Sequence, residues 1–186
     1  QTGNFICMLL PDIESRFVTT LIYGAQDVLR NQGFHLLILR ESEAELSGSK
    51  LISRMIDLGI KGIIVFPNSN ARYNKDLLLL AFNRFPVVFV DSTLRDLEIS
   101  SVTSDHHKMV KKAVELLFGH GCKNVGFISK PAEYSTSIAQ RISGYEKAHI
   151  ENNRTIRSGN VLYLSKEDPA QEIRILHFLE ENKDID

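Results

Sequence analysis

The polar residues best placed to hold a ligand follow short apolar runs of this 186-residue chain. Asp12, Ser15, Arg16 and Phe17 come after the run at 5–10, Asn68 and Ser69 after the run at 62–66, and Asp91 after the run at 86–90. An amide, hydroxyls, charges of both signs and an aromatic face together suit a polar small molecule such as a sugar. A ring can rest on Phe17 while carboxylates and an arginine fix its hydroxyls. No bond-making motif accompanies them: the first run is not followed by G-x-G-x-x-G, and Walker A, G-x-S-x-G and H-E-x-x-H patterns are all absent. His106, His107 and His120 do not form a metal set, because adjacent helical histidines face different ways and no Cys, Asp or Glu completes the ligands. They read as solvated histidines at helix ends, and neither a metal nor a cofactor is expected.

Taken residue by residue, the same positions also have structural readings. Phe17 lies on an apolar stripe and by spacing is a first-turn core residue. Arg141, one helical turn before Tyr145, reads as a surface arginine. Asp105 precedes a helical run and reads as its N-cap, and Asp12 as a turn residue after Pro11.

The elements that must position these residues alternate regularly. The run at 5–10 (Phe-Ile-Cys-Met-Leu-Leu) shows no two-residue alternation, as expected of a strand buried on both faces. A helix follows, with Phe17, Leu21, Ala25 and Val28 on one stripe beside Val18, Ile22 and Leu29, and Gly33 closes it as a left-handed C-cap. Strands are expected at 34–39, 62–66 and 86–90, with helices at 49–58 and 75–83 between them. A short strand at 101–103 leads to a helix at 105–118, with Met109, Val110, Ala113, Leu116 and Leu117 on one side. A strand at 124–128 comes next, then a helix at 135–151 with Ile138, Ile142, Tyr145 and Ala148 inward, and a strand at 161–164. A last helix begins at Asp168-Pro169, an N-cap followed by proline. Such alternation implies right-handed crossovers and parallel sheets with helices on both faces. Ligands then sit at the carboxyl ends of the strands, where the polar residues above are found. The boundary falls near 100–105, giving lobes at 1–101 and 102–186, the second with too few strands to be complete.

Charge and composition narrow the function classes. Lys and Arg number 22 against 23 Asp and Glu, a formal net charge of -1. A stand-alone DNA binder needs a basic excess, because phosphate contacts supply most of its affinity. No apolar run approaches the roughly 20 residues of a membrane span. The start Gln1-Thr2-Gly3-Asn4 has no basic or hydrophobic leader and reads as a cut end. Cys7 and Cys122 are the only cysteines and are expected to be reduced, which suits the cytoplasm.

Several segments, in order, resemble the effector domain of LacI/GalR-type transcription regulators. The opening Thr2-Gly3-Asn4-Phe5-Ile6-Cys7-Met8-Leu9-Leu10-Pro11-Asp12-Ile13 resembles the start of that domain, and Gln32-Gly33-Phe34-His35-Leu36 the entry to its second strand. Gly59-Ile60-Lys61-Gly62-Ile63-Ile64-Val65 and Pro86-Val87-Val88-Phe89-Val90-Asp91 are similar to two further strands. Val102-Thr103-Ser104-Asp105, with Ala113, Leu116-Leu117 and Gly119-His120-Gly121, follows the lobe-crossing segment. Arg141-Ile142-Ser143-Gly144-Tyr145 is similar to the family's R-x-x-G-[FYW] helix.

The resemblance implies a periplasmic-binding-protein-like α/β fold of two doubly wound parallel-sheet lobes, the second incomplete. It implies that Arg141 contacts the effector and that Phe17, at an aromatic position of the family's N-P-F-F loop, stacks on it. Ser15 and Arg16 stand where that loop has Asn-Pro. Asp105 matches the family's crossover Asp, His106 replaces the Asn after it, and Met109-Val110 replace a Gly-Gly pair. The implied partners are a sugar-like effector, operator DNA through a headpiece missing from this chain, and a second copy in a homodimer. A solute-binding protein of a sugar transporter shares the fold and is the alternative; an α/β enzyme is a third reading without a catalytic constellation to support it.

Overall fold

The computed structural model describes residues 3–11, 13–40, 55–67, 79, 83–93, 99–165 and 168–186. Asp12, Asn68 and Ser69 lie outside the described residues, as do most of the helices expected at 49–58 and 75–83. The chain divides into two compact units, Gln1–Thr103 and Ser104–Asp186.

The first unit is built on strand β1 (Phe5–Leu10), helix α1 (Arg16–Asn31), and strands β2 (His35–Arg40), β3 (Ile60–Val65), β4 (Val87–Val90) and β5 (Ser101–Val102). All pair in parallel in the order β2-β1-β3-β4-β5. Side chains on a strand alternate between faces, and β1 is apolar at every position because both faces are covered. Cys7 and Leu9 pack with Met55, Ile63, Val65 and Phe89 in one cluster. Met8 and Leu10 pack with Val18 and Ile22 of α1 in another. Burying each such side chain contributes about 1.5–3 kcal/mol. Gly33 (φ 75°) and Gly59 (φ 78°) take left-handed conformations, Gly33 just beyond α1 and Gly59 immediately before β3.

The second unit holds α2 (His106–Gly119), β6 (Phe127–Ser129), a single 3-10 turn (Ala132–Tyr134), α3 (Thr136–Glu151), β7 (Val161–Tyr163) and α4 (Gln171–Glu181). Among the described residues its sheet has two parallel strands, β6 and β7. The core gathers on Tyr145, with Val114, Phe118, Val125 and Ala148 around it. The Tyr145 ring stacks on Phe127 at 4.8 Å between centroids, and its hydroxyl donates to the Val125 carbonyl at 2.8 Å. Burial pushes this phenol up to about 12.

Three expectations are corrected. On α2 the buried face is His106, Val114 and Phe118, with Val110 packed against the same core. Met109 and Leu116 are instead 60% and 62% exposed, and Leu117 is exposed too. The helix is rotated from the expected stripe because α3 approaches from the His106 side. On α1, Phe17 and Val28 project outward, while Val18 and Ile22 carry the packing. The last helix starts at Gln171, capped by Ala170 without a side-chain bond. Asp168 sits in the turn before it, accepting from the Ala170 N–H at 2.9 Å and pairing with Arg174 at 2.5 Å. Those contacts hold its carboxyl below the ordinary range, Arg174 first and the backbone N–H next.

Both thiols are free, Cys7 buried and Cys122 half-buried. Burial pushes the Cys7 thiol up to about 11, away from the reactive thiolate. An alkylating reagent at neutral pH is therefore expected to modify Cys122 in the native protein and to reach Cys7 only on denaturation, as read by intact mass. Equal native labelling of both would contradict the buried placement of β1.

Candidate functional site

In the first unit the sheet order decides where side chains can converge. From β1 the chain moves outward to β2, then crosses back to β3 on the other side of β1. In open parallel sheets the place where the strand order reverses in this way, here between β1 and β3, is where ligands sit, at the carboxyl ends of the strands. Phe17 enters from the first turn of α1, just after β1. Phe66 follows β3, and its N–H donates to the Leu9 carbonyl at 2.9 Å. The two rings meet edge to face, 6.2 Å between centroids at 74°. Phe66 packs down onto Met8, Leu10, Val18 and Ile22, whereas Phe17 remains 49% exposed. An aromatic face is thus presented outward on an apolar footing.

Ser15 is the N-cap of α1. Its hydroxyl accepts from the Val18 N–H at 3.4 Å, and its carbonyl accepts from the Thr19 N–H at 3.0 Å and the Thr19 hydroxyl at 2.8 Å. Arg16 opens the helix with its side chain in solvent. Asp91 follows β4 in the left-handed region (φ 66°), its N–H donating to Val102. That conformation is uncommon outside glycine, though aspartate adopts it more readily than most residues. Ser15, Arg16, Phe17, Phe66 and Asp91 all follow the carboxyl ends of strands of this sheet.

In the second unit the corresponding residues lie at helix N-termini. Asp105 caps α2, its Oδ1 accepting from the Lys108 N–H at 2.9 Å. Ser135 caps α3, accepting from the Ile138 N–H at 3.2 Å and bonding the buried Ser137 hydroxyl at 2.9 Å. Arg141 lies one turn beyond Ser137 on the same helix face. Its Nε donates to Nδ1 of His106 across the α2–α3 contact, at 3.4 Å. This bond depends on close helix packing. A Cβ placed on Gly144 would lie 2.3 Å from the carbonyl oxygen of His107, well inside contact distance. Glycine in the R-x-x-G sequence is what lets α3 come this close.

His106 corrects the expectation of a solvated histidine, since it is 5% exposed. A signal was present: His106, Val110, Val114 and Phe118 recur every four residues and form one helical stripe. Phe66 was also missed as a site residue, because it reads as the apolar end of a strand. Tyr145, in contrast, is committed to the core. Among the described residues no group of three His, Cys, Asp or Glu could hold a metal, and no helix is long and apolar enough to cross a membrane.

Comparison with known proteins gives a consistent result. Residues 4–186 match the family model described as periplasmic binding proteins and sugar binding domain of LacI family. The probable HTH-type transcriptional regulator EndR of Paenibacillus polymyxa is 30% identical over 149 residues, covering 78% of this chain and 43% of that protein. Catabolite control protein A of Priestia megaterium is 25% identical over 155 residues, covering 83% and 46%. The chain spans about half the length of these curated relatives. Among solved structures, the transcription regulator CcpA of Lactococcus lactis superposes with a TM-score of 0.79 at 21% identity, covering 96% of this chain and 65% of that one. A complex of the transcriptional regulator CelR with cellobiose superposes at 0.81 and 15% identity, covering all of this chain and 58% of that one. These structures are similar in fold.

The helix crossing yields a paired prediction. Gly144→Ala is expected to cost about 1–3 kcal/mol through overpacking, despite a helix-propensity gain of about 1 kcal/mol. Gly24, in the interior of α1 with open space around its Cβ position, is the control: Gly24→Ala is expected to stabilise by about 0.5–1 kcal/mol. Urea unfolding of both variants measures this, and a stabilising Gly144→Ala would refute the close approach.

Proposed function

Because the chain belongs to the family of periplasmic binding proteins and LacI-type sugar binding domains, we propose that it is the effector-sensing part of a DNA-binding transcription regulator, and that its effector is a sugar or a related small polar molecule. EndR and CcpA, which it resembles, are transcriptional regulators, and the similar CelR structure contains cellobiose. The observation that carries the reading is Arg141. Its Nε is engaged by His106, which leaves the two Nη amino groups as a planar fork suited to vicinal hydroxyls or a carboxylate.

In the first unit, the exposed ring of Phe17 is an apolar face of the kind on which a sugar ring stacks. Ser15, Arg16, Asp91 and Asp105, together with Asp12 and Asn68, complete the set we assign to the ligand. Capture is a signal in this reading, with no bond made or broken. The effector acts by binding one conformational state of the protein better than another, and it shifts the equilibrium by no more than that difference. Operator DNA is bound through a headpiece outside this chain, in keeping with a net charge of -1 here. The working form is a cytoplasmic homodimer.

Calorimetric titration with neutral sugars, disaccharides, sugar acids and sugar phosphates tests the reading. At least one class is expected to bind, and Arg141→Ala to weaken it by about 1.5–3 kcal/mol, the loss of charge-assisted hydrogen bonds. Phe17→Ala is expected to weaken binding as well while changing stability by less than about 1 kcal/mol, because that ring is half in solvent. Binding undiminished in Arg141→Ala would remove the reading's main residue.

A further inference from the structure

We propose that His106 is a positioning residue for the effector fork: its Nδ1 holds the Nε of Arg141, so that both Nη groups are aimed before the effector arrives. The inference rests on Arg141 being an effector contact and adds the residue that sets its orientation.

Three observations carry it. First, His106 is 5% exposed, in line with Val110, Val114 and Phe118 on the inward stripe of α2. A polar ring on such a stripe is costly unless its nitrogens are satisfied. An apolar residue of similar volume would serve packing alone. Second, the Nε–Nδ1 contact of 3.4 Å joins two helices and 35 positions of sequence. The absence of a Cβ at Gly144 lets those helices approach closely beside it, at the His107 carbonyl. The acceptor is therefore mounted on rigid elements. Third, the contact occupies Nε and so leaves the end-on pair, Nη1 and Nη2, as the bidentate edge available to a ligand. For Nδ1 to accept, the ring must be neutral, with its proton on Nε2. An arginine held in this way has already lost much of the rotamer freedom that binding would otherwise remove, and less ordering remains when the effector docks.

The test uses four variants and one spectrum. His106→Leu removes the acceptor at similar volume, while His106→Asn restores an acceptor where Nδ1 stood. With the tightest-binding member of the sugar panel as probe, His106→Leu is expected to weaken binding about tenfold. His106→Asn should return affinity to within about twofold of the parent, and His106→Leu should add no further loss in an Arg141→Ala background. Thermal melts of each variant separate this pattern from general unfolding. Wild-type affinity in His106→Leu, alongside lost binding in Arg141→Ala, would overturn the positioning role and leave the effector reading standing. Wild-type affinity in Arg141→Ala would overturn both. Independently of any variant, imidazole 15N shifts of the ligand-free protein should show His106 with Nδ1 unprotonated. A proton on Nδ1 would exclude it as the acceptor and end the proposal.

Discussion

The backbone contact between α3 and α2 at Gly144 is the constraint on which the second unit depends. Only a residue without a Cβ lets the His107 carbonyl approach this closely. That approach decides which face of α2 is buried and places His106 opposite Arg141. It also seats Tyr145, next in sequence, among Phe127, His149 and the Val125 carbonyl. One glycine thus links the packing of the unit to the aim of its most distinctive cation. A fork built on two packed helices is held more narrowly than one on a loop, and binding geometry tolerates little slack.

The first unit reaches comparable rigidity by another route. Strand β1 is covered on both faces, so its carboxyl end is a fixed point from which the α1 N-terminus departs. Because β3 is its neighbour in parallel register, Phe66 arrives beside Phe17 without any local signal requiring the pair. Phe66 is anchored in the core and Phe17 leans on it edge to face. The exposed ring is therefore supported from below, which reduces the ordering it would lose on stacking against a ligand.

Much of this was legible in the residues. The unbroken apolar run of β1 requires cover on both faces, and the order of strands and helices requires a parallel sheet. Gly33, expected as the left-handed residue after α1, has φ 75°. What was not legible came from contacts between distant segments. The stripe chosen for α2 included Met109 and Leu116 because apolar spacing alone permits it; the competing stripe through His106 carries a polar residue, and only the packing of α3 selects it. The Asp168-Pro169 pair satisfies the rules for a helix start, yet Asp168 is drawn to Arg174 and the Ala170 N–H, and the helix begins later. Asp105 carries the capping bond expected of it, whereas the cap at Ser15 was not anticipated. For Arg141, periodicity offered only a surface position, and its assignment came from resemblance. The contact with His106, 35 positions away, was equally invisible to periodicity.

The most direct test of the central claim is a crystal structure of the protein with a bound sugar from the titration panel. The account predicts ligand oxygens about 2.7–3.1 Å from the Nη groups of Arg141, with Nε still donating to His106. A sugar bound without touching Arg141 would contradict it.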